Sequence, residues 1–217
     1  MSKNETENSR AKEAGAEISR AVAALMRGEV IVFPTETLYG LGADALDPAA
    51  VEKVFDLKDR DPSNPIPVLV ADRAMLLNLV SGIPPVAERL IACFWPGPLT
   101  LVLAARGRLP KPLVNTNGGI GVRISSQPIA GRLLQALGRP LTATSANPSG
   151  QPAAHSVEQA RNYFAGAVDI FIDGGELASQ TGSTVVETIG DRIRIIREGE
   201  ITREHLQRAA GKSKILS

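Results

Sequence analysis

The chain has 217 residues, of which 43% are hydrophobic and 22% are charged, so its composition is that of an ordinary globular protein and excludes a disordered or fibrous one. Its 24 basic and 23 acidic side chains leave a formal net charge of +1, which excludes a global positive field directed at nucleic acid but leaves a local basic groove open. The single cysteine excludes an intrachain disulfide and a cysteine zinc cluster, and the two distant histidines argue against a histidine metal site.

The length fits one well-cored α/β domain, which we predict to cover residues 11–211 because no repeat or low-complexity linker divides the chain. Residues 1–10 are polar and contain no apolar signal core, so we predict a disordered tail there, and residues 212–217 are predicted to be a loose tail. No apolar run approaches the ~20 residues that a membrane helix needs. The sequence therefore predicts a cytoplasmic protein with no membrane association.

Helices and strands are mixed along the chain without strict alternation. Asp47 and Pro48 have the chemistry of a helix N-cap followed by the first helical position, and Gly190-Asp191 is a hairpin turn between two apolar runs. In chain order the predicted helices are 11–27, 48–57, 73–80, 85–94, 129–137, 157–164 and 202–210. The predicted strands are 30–33, 66–71, 99–104, 120–124, 140–143, 168–172, 184–189 and 193–196. This order predicts an α/β fold with a mixed parallel and antiparallel sheet and packed helices.

Two hydroxyl-rich segments each follow an apolar run. Residues 34–42 place two threonines, a glutamate and a tyrosine before two glycines, and residues 144–150 contain two serines, a threonine and an asparagine. A simple turn needs only a few polar residues, whereas glycines at a strand end allow backbone to approach a ligand closely. The two segments therefore predict one polar site built from loops on a sheet.

Some local patterns have a structural explanation that is as good as a functional one. The spacing Gly40-x-Gly42-x-x-Ala45 fits a dinucleotide fingerprint, but six residues separate its first glycine from the strand, so we predict no Rossmann site. Lys58 and Arg60 could stabilise a helix C-terminus or form a fork for an anion, and the pattern leaves both open. Cys93 is predicted to be buried with its helix face, not to act as a nucleophile.

The strand at 99–104 is nearly all apolar, and we predict a central strand that is covered on both faces. Arg123 ends another apolar run, a third hydroxyl cluster stands at residues 181–184, and Arg197 leaves the last strand. Hydroxyls, amides and arginines, without a histidine base or a metal cage, favour an anionic, hydroxylated small ligand. Nucleotidyl transfer fits such a site, because orientation and charge neutralisation supply most of its catalysis.

Six ordered motifs resemble the YrdC-like threonylcarbamoyl-AMP synthase family, in its short, single-domain form. The similarity runs from about Gly28 to the closing helix, and six motifs in family order are more specific than any one of them. The matching motifs are Pro34-Thr35-Glu36-Thr37-Leu38-Tyr39-Gly40-Leu41, Lys58-Asp59-Arg60 with Asn64-Pro65, Trp95-Pro96-Gly97-Pro98-Leu99-Thr100, Val122-Arg123, Ser145-Ala146-Asn147-Pro148-Ser149-Gly150, and Ser183-Thr184 with Arg197-Glu198-Gly199.

The resemblance implies a twisted mixed sheet with a concave groove and a reaction of ATP, L-threonine and bicarbonate or CO2. The implied products are threonylcarbamoyl-AMP and pyrophosphate, with Mg²⁺ as the cofactor that accompanies ATP and no metal held by side chains of the protein. It also implies that a separate threonylcarbamoyl transferase uses the product to modify tRNA, and that weak tRNA binding is possible.

The resemblance also implies the roles of particular residues. Two would act in catalysis by relieving repulsion between anionic reactants, and these are Lys58 and Arg60. Four would bind threonine or its carbamate: Thr35, Arg123, Ser183 and the backbone near Ala143. Six would surround the triphosphate and adenylate: Lys58, Arg60, Asn64, Ser145, Asn147 and Arg197.

Two other functions remain open at this stage. An RNA-binding protein with the same groove is one, although a near-neutral chain with eight aromatic residues argues against RNA as its main ligand. A YciO-like paralogue with the same fold and little synthase activity is the other. Asp61, where many relatives have proline, and Leu69, where some have histidine, are departures from the family pattern.

Overall fold

The fold was analysed in a computed structural model, which describes residues 3–179 and 181–216. The helices are α1 (Lys3–Met26), α2 (Pro48–Lys58), α3 (Arg73–Leu79), α4 (Pro85–Phe94), α5 (Pro128–Leu137), α6 (Val157–Phe164) and α7 (Arg203–Ala210), with a short 3₁₀ turn at Lys111–Leu113. The strands are β1 (Ile31–Pro34), β2 (Tyr39–Gly42), β3 (Val68–Leu69), β4 (Leu99–Ala104), β5 (Gly119–Arg123), β6 (Leu141–Thr142), β7 (Thr144–Ser145), β8 (Ile170–Phe171), β9 (Thr184–Ile189), β10 (Arg192–Arg197) and β11 (Ile215–Leu216).

The strands form two sheets, both of which mix parallel and antiparallel neighbours. Within the described residues, one sheet has the order β7-β2-β1-β8 and the other the order β11-β10-β9-β4-β5-β3-β6. The predicted hairpin is present, since β9 and β10 pair antiparallel across the turn at Gly190. The prediction of a mixed α/β sheet with packed helices is confirmed, with two sheets where the sequence indicated one.

The two glycines after β1 are part of a strand that the sequence analysis missed. Residues 39–42, predicted to be part of a loop, form β2 and pair antiparallel with β1. Gly42 lies against the ring of Phe33, where an added Cβ would come within 2.8 Å of Phe33 Cε1. This glycine therefore serves the packing of the sheet, and the dinucleotide interpretation rejected from the sequence has no structural support.

Strands β4 and β5 separate the hydrophobic core from a polar face. Leu99, Leu101 and Leu103 of β4 pack into the main core with Val122 of β5, because successive side chains of a strand point to opposite faces. Thr100, on the other face of β4, borders a cavity. The prediction of a central strand covered on both faces is confirmed for residues 99–103, because β4 lies between β9 and β5 and its residues on both faces are buried.

A second, smaller core fixes the first helix to the four-stranded sheet. Leu25 of α1 and Leu134 of α5 pack with Ile31 and Phe33 of β1, while Val32 of β1 points into the main core. Burial on both faces explains why β1 reads as an uninterrupted apolar run. The two cores together place β1 and β2 at the centre of the molecule.

Three predictions at the periphery differ from the structure. Helix α1 begins at Lys3, so residues 3–10 are helical where a tail was predicted, in keeping with a segment that has no proline or glycine. Residues 215–216 form β11, which pairs in parallel with β10 where a loose tail was predicted. Cys93 is exposed, because the buried side of α4 turns towards Ile91 and Phe94 in its last turn.

The helices of the described residues differ from membrane-spanning helices. None of them combines the length with the apolar composition that crossing a membrane demands.

Tyr39 ties β2 to the turn that follows β8. Its side chain is fully buried, its hydroxyl accepts the Gly174 N–H at 2.9 Å, and it donates to the Gly175 carbonyl at 2.7 Å. Burial raises the pKa of the phenol to about 12, so the hydroxyl stays protonated and able to donate at all physiological pH values.

We predict that Tyr39→Phe lowers the free energy of unfolding by about 1–3 kcal/mol, because the Gly174 N–H and the Gly175 carbonyl lose their partner. The only other tyrosine, Tyr163, has no hydroxyl hydrogen bond among the described residues, so Tyr163→Phe is a matched control. Urea unfolding of both variants measures the difference. Equal stabilities of the two variants would contradict the assigned role of the Tyr39 hydroxyl.

Candidate functional site

A cavity of about 730 Å³ lies between the polar face of β4 and β5 and the hydroxyl segments of the other sheet. Its volume lies within the usual range for small-molecule sites. Eight of the ten residues predicted from the sequence line it: Thr35, Arg60, Arg123, Ala143, Ser145, Asn147, Ser183 and Arg197. Residues more than a hundred positions apart in sequence therefore meet in one place, as the two-segment pattern predicted.

Residues 141–145, which form β6 and β7, contribute to two sides of the cavity. Thr142 in β6 pairs with Val68 of the seven-stranded sheet, and Thr144 in β7 pairs with Leu41 of the four-stranded sheet. The hydroxyl of Thr142 also accepts the Ala43 N–H at 2.8 Å. Ala143, between the two strands, lines the cavity, but its N–H donates to the Pro67 carbonyl at 2.9 Å and is not free for a ligand.

The turn between β1 and β2 presents hydroxyls at one end of the cavity. Thr35 Oγ1 donates to the Leu38 carbonyl at 2.7 Å and accepts the N–H groups of Thr37 and Leu38, so this hydroxyl shapes the turn. The next hydroxyl, Thr37 Oγ1, accepts from Arg123 Nη1 at 3.3 Å. Thr37 was not among the predicted site residues, although its place in the Thr-Glu-Thr motif was a signal that could have found it.

Arg123 is a buried cation at the same end of the cavity. Only 5% of it is exposed, and Glu36 Oε1 lies 3.4 Å from its Nη1. Burial lowers the pKa of Arg123, the carboxylate of Glu36 raises it, and the positive charge of Arg197 lowers it again. A guanidinium stays charged in a protein despite such shifts, so this one is a fixed positive charge that lines the cavity.

Arg197 and Ser183 lie next to each other on the β9–β10 side. Arg197 Nη2 donates to the Ser183 carbonyl at 2.8 Å, and the Ser183 hydroxyl is 2.9 Å from Thr100 Oγ1. The backbone here is very closely packed, because a Cβ on Gly199 would lie 2.1 Å from the Gly182 carbonyl oxygen. Glycine at position 199 is what lets the two segments come together beside the cavity.

Arg60 borders the cavity at the end of α2. Its Nε donates to the Asn64 carbonyl at 2.9 Å, and burial followed by the charge of Arg197 lowers its pKa. Within residues 3–179 and 181–216, neither Arg60 nor Arg197 has a carboxylate within ion-pair distance. Arg197 is in electrostatic range of both Arg60 and Arg123, and the three guanidiniums, of which Arg123 alone has a carboxylate partner among the described residues, create a cavity that favours an anionic ligand.

Two predicted residues do not line the cavity. Asn64 is exposed, and only its carbonyl contributes, by accepting from Arg60. Lys58 is buried behind the second hydroxyl segment, where its Nζ donates to the carbonyls of Ser145 at 2.6 Å and Asn147 at 2.5 Å. The predicted catalytic cation is therefore placed as a support of residues 145–147 and not as a group exposed to the ligand.

Asn147 lines the cavity beside Ser145. Its Nδ2 donates to the carbonyls of Pro148 and Gln151, at 2.9 and 2.7 Å, which fixes the orientation of the amide. Its Oδ1 is buried and has no hydrogen-bond partner among the described residues. A buried acceptor without a partner is costly, so the two bonds made by Nδ2 hold the amide in this orientation against that cost.

Potential metal-binding side chains are not clustered in the described residues. No group of three or more histidine, cysteine, aspartate or glutamate side chains is placed to hold a metal ion. Glu198 is the one carboxylate among the described residues that line the cavity, beside arginines, amides and hydroxyls, so the cavity suits a ligand that carries its own cation.

We predict a pH-dependent stability for Lys58, whose pKa is lowered from its ordinary 10.5 to about 8, mainly by burial and then by Arg60. Between these two pH values the unfolded chain binds more protons, so the free energy of unfolding rises with pH. Relative to Lys58→Met, the wild-type protein should gain roughly 3 kcal/mol at most from pH 8 to 10.5. Urea unfolding of both proteins across this range measures it, and a constant difference would contradict the burial of the ammonium.

The chain is similar to proteins of one known family. The family model Sua5/YciO/YrdC, described as telomere recombination, matches residues 23–199. A protein of Mycobacterium tuberculosis, strain CDC 1551 / Oshkosh, is named a putative threonylcarbamoyl-AMP synthase and is 37% identical over 194 residues, which are 89% of each chain.

Two solved structures have similar folds. The crystal structure of P. abyssi Sua5 complexed with L-threonine is 36% identical with a TM-score of 0.87, and the match covers 92% of this chain and 58% of that one. The crystal structure of E. coli YciO is 31% identical with a TM-score of 0.76, and the match covers 84% of this chain and 89% of that one. The chain thus spans little more than half the length of the Sua5 structure and most of YciO.

Proposed function

The chain belongs to the Sua5/YciO/YrdC family, and from this we infer that it is an L-threonylcarbamoyladenylate synthase. Its substrates are ATP, L-threonine and bicarbonate or CO2, and its products are threonylcarbamoyl-AMP and pyrophosphate. The observation that carries the proposal is the cavity with three guanidiniums, because both reactants of the adenylation step are anions and need such a site. The likeness to a Sua5 structure with L-threonine bound supports it.

The chemistry proceeds through the substrates themselves. The nitrogen of threonine attacks the carbon of bicarbonate, a C–N bond forms, water leaves, and the product is the threonine carbamate. A carbamate oxygen then attacks the α-phosphorus of ATP, and the bond from that phosphorus to the bridging oxygen breaks to release pyrophosphate. The nucleophile is a substrate group, which fits a cavity that presents no cysteine or histidine among its lining residues.

The protein supplies position and charge in this scheme. Arg123, Ser183 and Thr37 form the threonine end, and the hydroxyl of Thr35 holds the turn that presents Thr37. Arg60 and Arg197 neutralise the phosphates. Ser145 and Asn147 lie at the nucleotide, and Lys58 holds their backbone in place.

Mg²⁺ enters this scheme as part of the substrate MgATP. Phosphate oxygens and water are ligands that Mg²⁺ prefers, and the described residues form no acidic cage that would bind it in advance. A separate threonylcarbamoyl transferase takes up the product for tRNA modification, and tRNA binding by this chain is at most weak.

We expect pyrophosphate release from MgATP to require both threonine and bicarbonate. The measurement omits each of the two in turn, and chemical identification of threonylcarbamoyl-AMP completes it. ATP binding without release would place the chain with YciO-like paralogues, to which it is also similar. Release that needs neither substrate would indicate a simple ATP hydrolase.

We predict that Arg60→Ala lowers turnover roughly 10²–10³-fold, because a cation at the phosphates is lost. The same change should lower the free energy of unfolding by only about 1 kcal/mol, because Arg60 also clips the loop at Asn64. Arg60→Lys keeps the charge and should recover part of the activity. Arg132→Ala is the control, since this exposed arginine of α5 makes no hydrogen bond or ion pair among the described residues. Equal turnover of the Arg60→Ala and Arg132→Ala variants would contradict the role.

A further inference from the structure

A carboxylate lies directly behind the cation that lines the threonine end of the cavity. Resting on the proposed synthase function, we propose that Glu36, braced by Ser125, is a positioning residue that holds the guanidinium of Arg123 for the carboxylate of the amino-acid substrate. Glu36 is not itself a lining residue of the cavity, although its neighbours Thr35 and Thr37 are.

The first observation is the burial of the cation. Arg123 is at the end of β5, and its side chain is 6% exposed against 14% for Glu36. A guanidinium removed from water to this extent needs a compensating charge, and removal of one member of a buried pair leaves the other uncompensated. Among the described residues, Glu36 is the carboxylate within ion-pair distance of Arg123.

The second observation is the bracing of the carboxylate. The Ser125 hydroxyl donates to Glu36 Oε2 and accepts the Gln127 N–H at 3.2 Å, so the direction of its proton is set from both sides. Ser125 is two residues beyond Arg123, and the same short segment therefore carries the cation and the group that orients its counter-ion. Rotation of the Glu36 carboxylate would break the bond to Ser125.

The third observation concerns the oxygen that faces the cation. Glu36 Oε1 is sealed from solvent, has no hydrogen bond among the described residues, and lies 3.4 Å from Arg123 Nη1. It cannot reach a ligand in the cavity, so it acts through the guanidinium. The negative charge of Glu36 restrains the guanidinium plane of Arg123 from one side. Thr37 Oγ1 accepts a hydrogen bond from the same Arg123 Nη1 at 3.3 Å.

The remaining N–H donors of Arg123 explain why the orientation of its guanidinium matters for binding the substrate carboxylate. A guanidinium has five N–H donors in a planar fork that matches a carboxylate with two parallel bonds. Thr37 takes one of these donors, and the other contact of the guanidinium among the described residues is the ion pair with Glu36. A fork whose plane is fixed beforehand loses less freedom when an amino-acid carboxylate binds, and this raises affinity for that substrate.

The test is the kinetics of pyrophosphate release by Glu36→Gln, with threonine and ATP varied separately. We expect the KM for threonine to rise about tenfold or more while the KM for ATP changes less than about twofold, because Arg60 and the 145–147 segment are untouched. Ser125→Ala removes only the brace, and it should raise the threonine KM in the same direction by a smaller factor.

Glu187→Gln is the matched control. Glu187 is also mostly buried, with its side chain 11% exposed, and it pairs with Arg194 at 3.3 Å, but neither residue lines the cavity. The control should change the threonine KM less than about twofold. In an Arg123→Lys background, Glu36→Gln should add little further loss, because its effect passes through the guanidinium.

The outcomes separate this inference from the proposed function. Wild-type protein that releases no pyrophosphate in response to threonine overturns the function. Active wild-type protein together with an unchanged threonine KM in both Glu36→Gln and Ser125→Ala overturns the positioning role alone. Equal rises in the KM for threonine and ATP would also overturn it, since they indicate a general distortion of the cavity.

Discussion

The two sheets are held in register by one short segment of backbone, residues 141–145, and the cavity exists because this segment belongs to both. Thr142 pairs with the seven-stranded sheet and Thr144 with the four-stranded sheet, so the chain crosses between them within three residues. Backbone hydrogen bonds that are buried in this way cannot be given up without cost. The distance between the Arg123 end of the cavity and the segment 145–147 is thereby set by the peptide chain itself.

The three arginines that line the cavity differ in their partners. Arg123 has a carboxylate partner, whereas Arg60 and Arg197 donate to neutral carbonyl oxygens among the described residues. Neutral partners hold a guanidinium in place without cancelling its charge, which leaves both available for phosphate. The paired cation is suited to a substrate with a single carboxylate, and the unpaired ones to a substrate with several negative charges. This asymmetry agrees with one site that has to take an amino acid and a nucleoside triphosphate together.

Sequence patterns predicted most helices and the larger strands because caps, prolines and apolar runs are local signals. Asp47, for example, accepts from the backbone of Ala49 as an N-cap should. The short strands β2, β7 and β11 were missed, since pairing with distant segments and not their own composition makes them strands. The same limit applies to the site. The motifs predicted which residues lie together, but the burial of Lys58 behind residues 145–147 depends on packing that no spacing encodes.

The contact at Gly199 shows that a residue can be essential to a site without offering it any chemistry. An added methyl group there would lie 2.1 Å from the Gly182 carbonyl oxygen, and relief of that overlap would move Ser183 and Arg197 apart. Substitution tolerance along this chain is therefore a poor guide to which residues touch a substrate. An evolutionary path that altered substrate choice could exchange the lining side chains one by one, but it would have to retain glycine at position 199, because no side chain fits there.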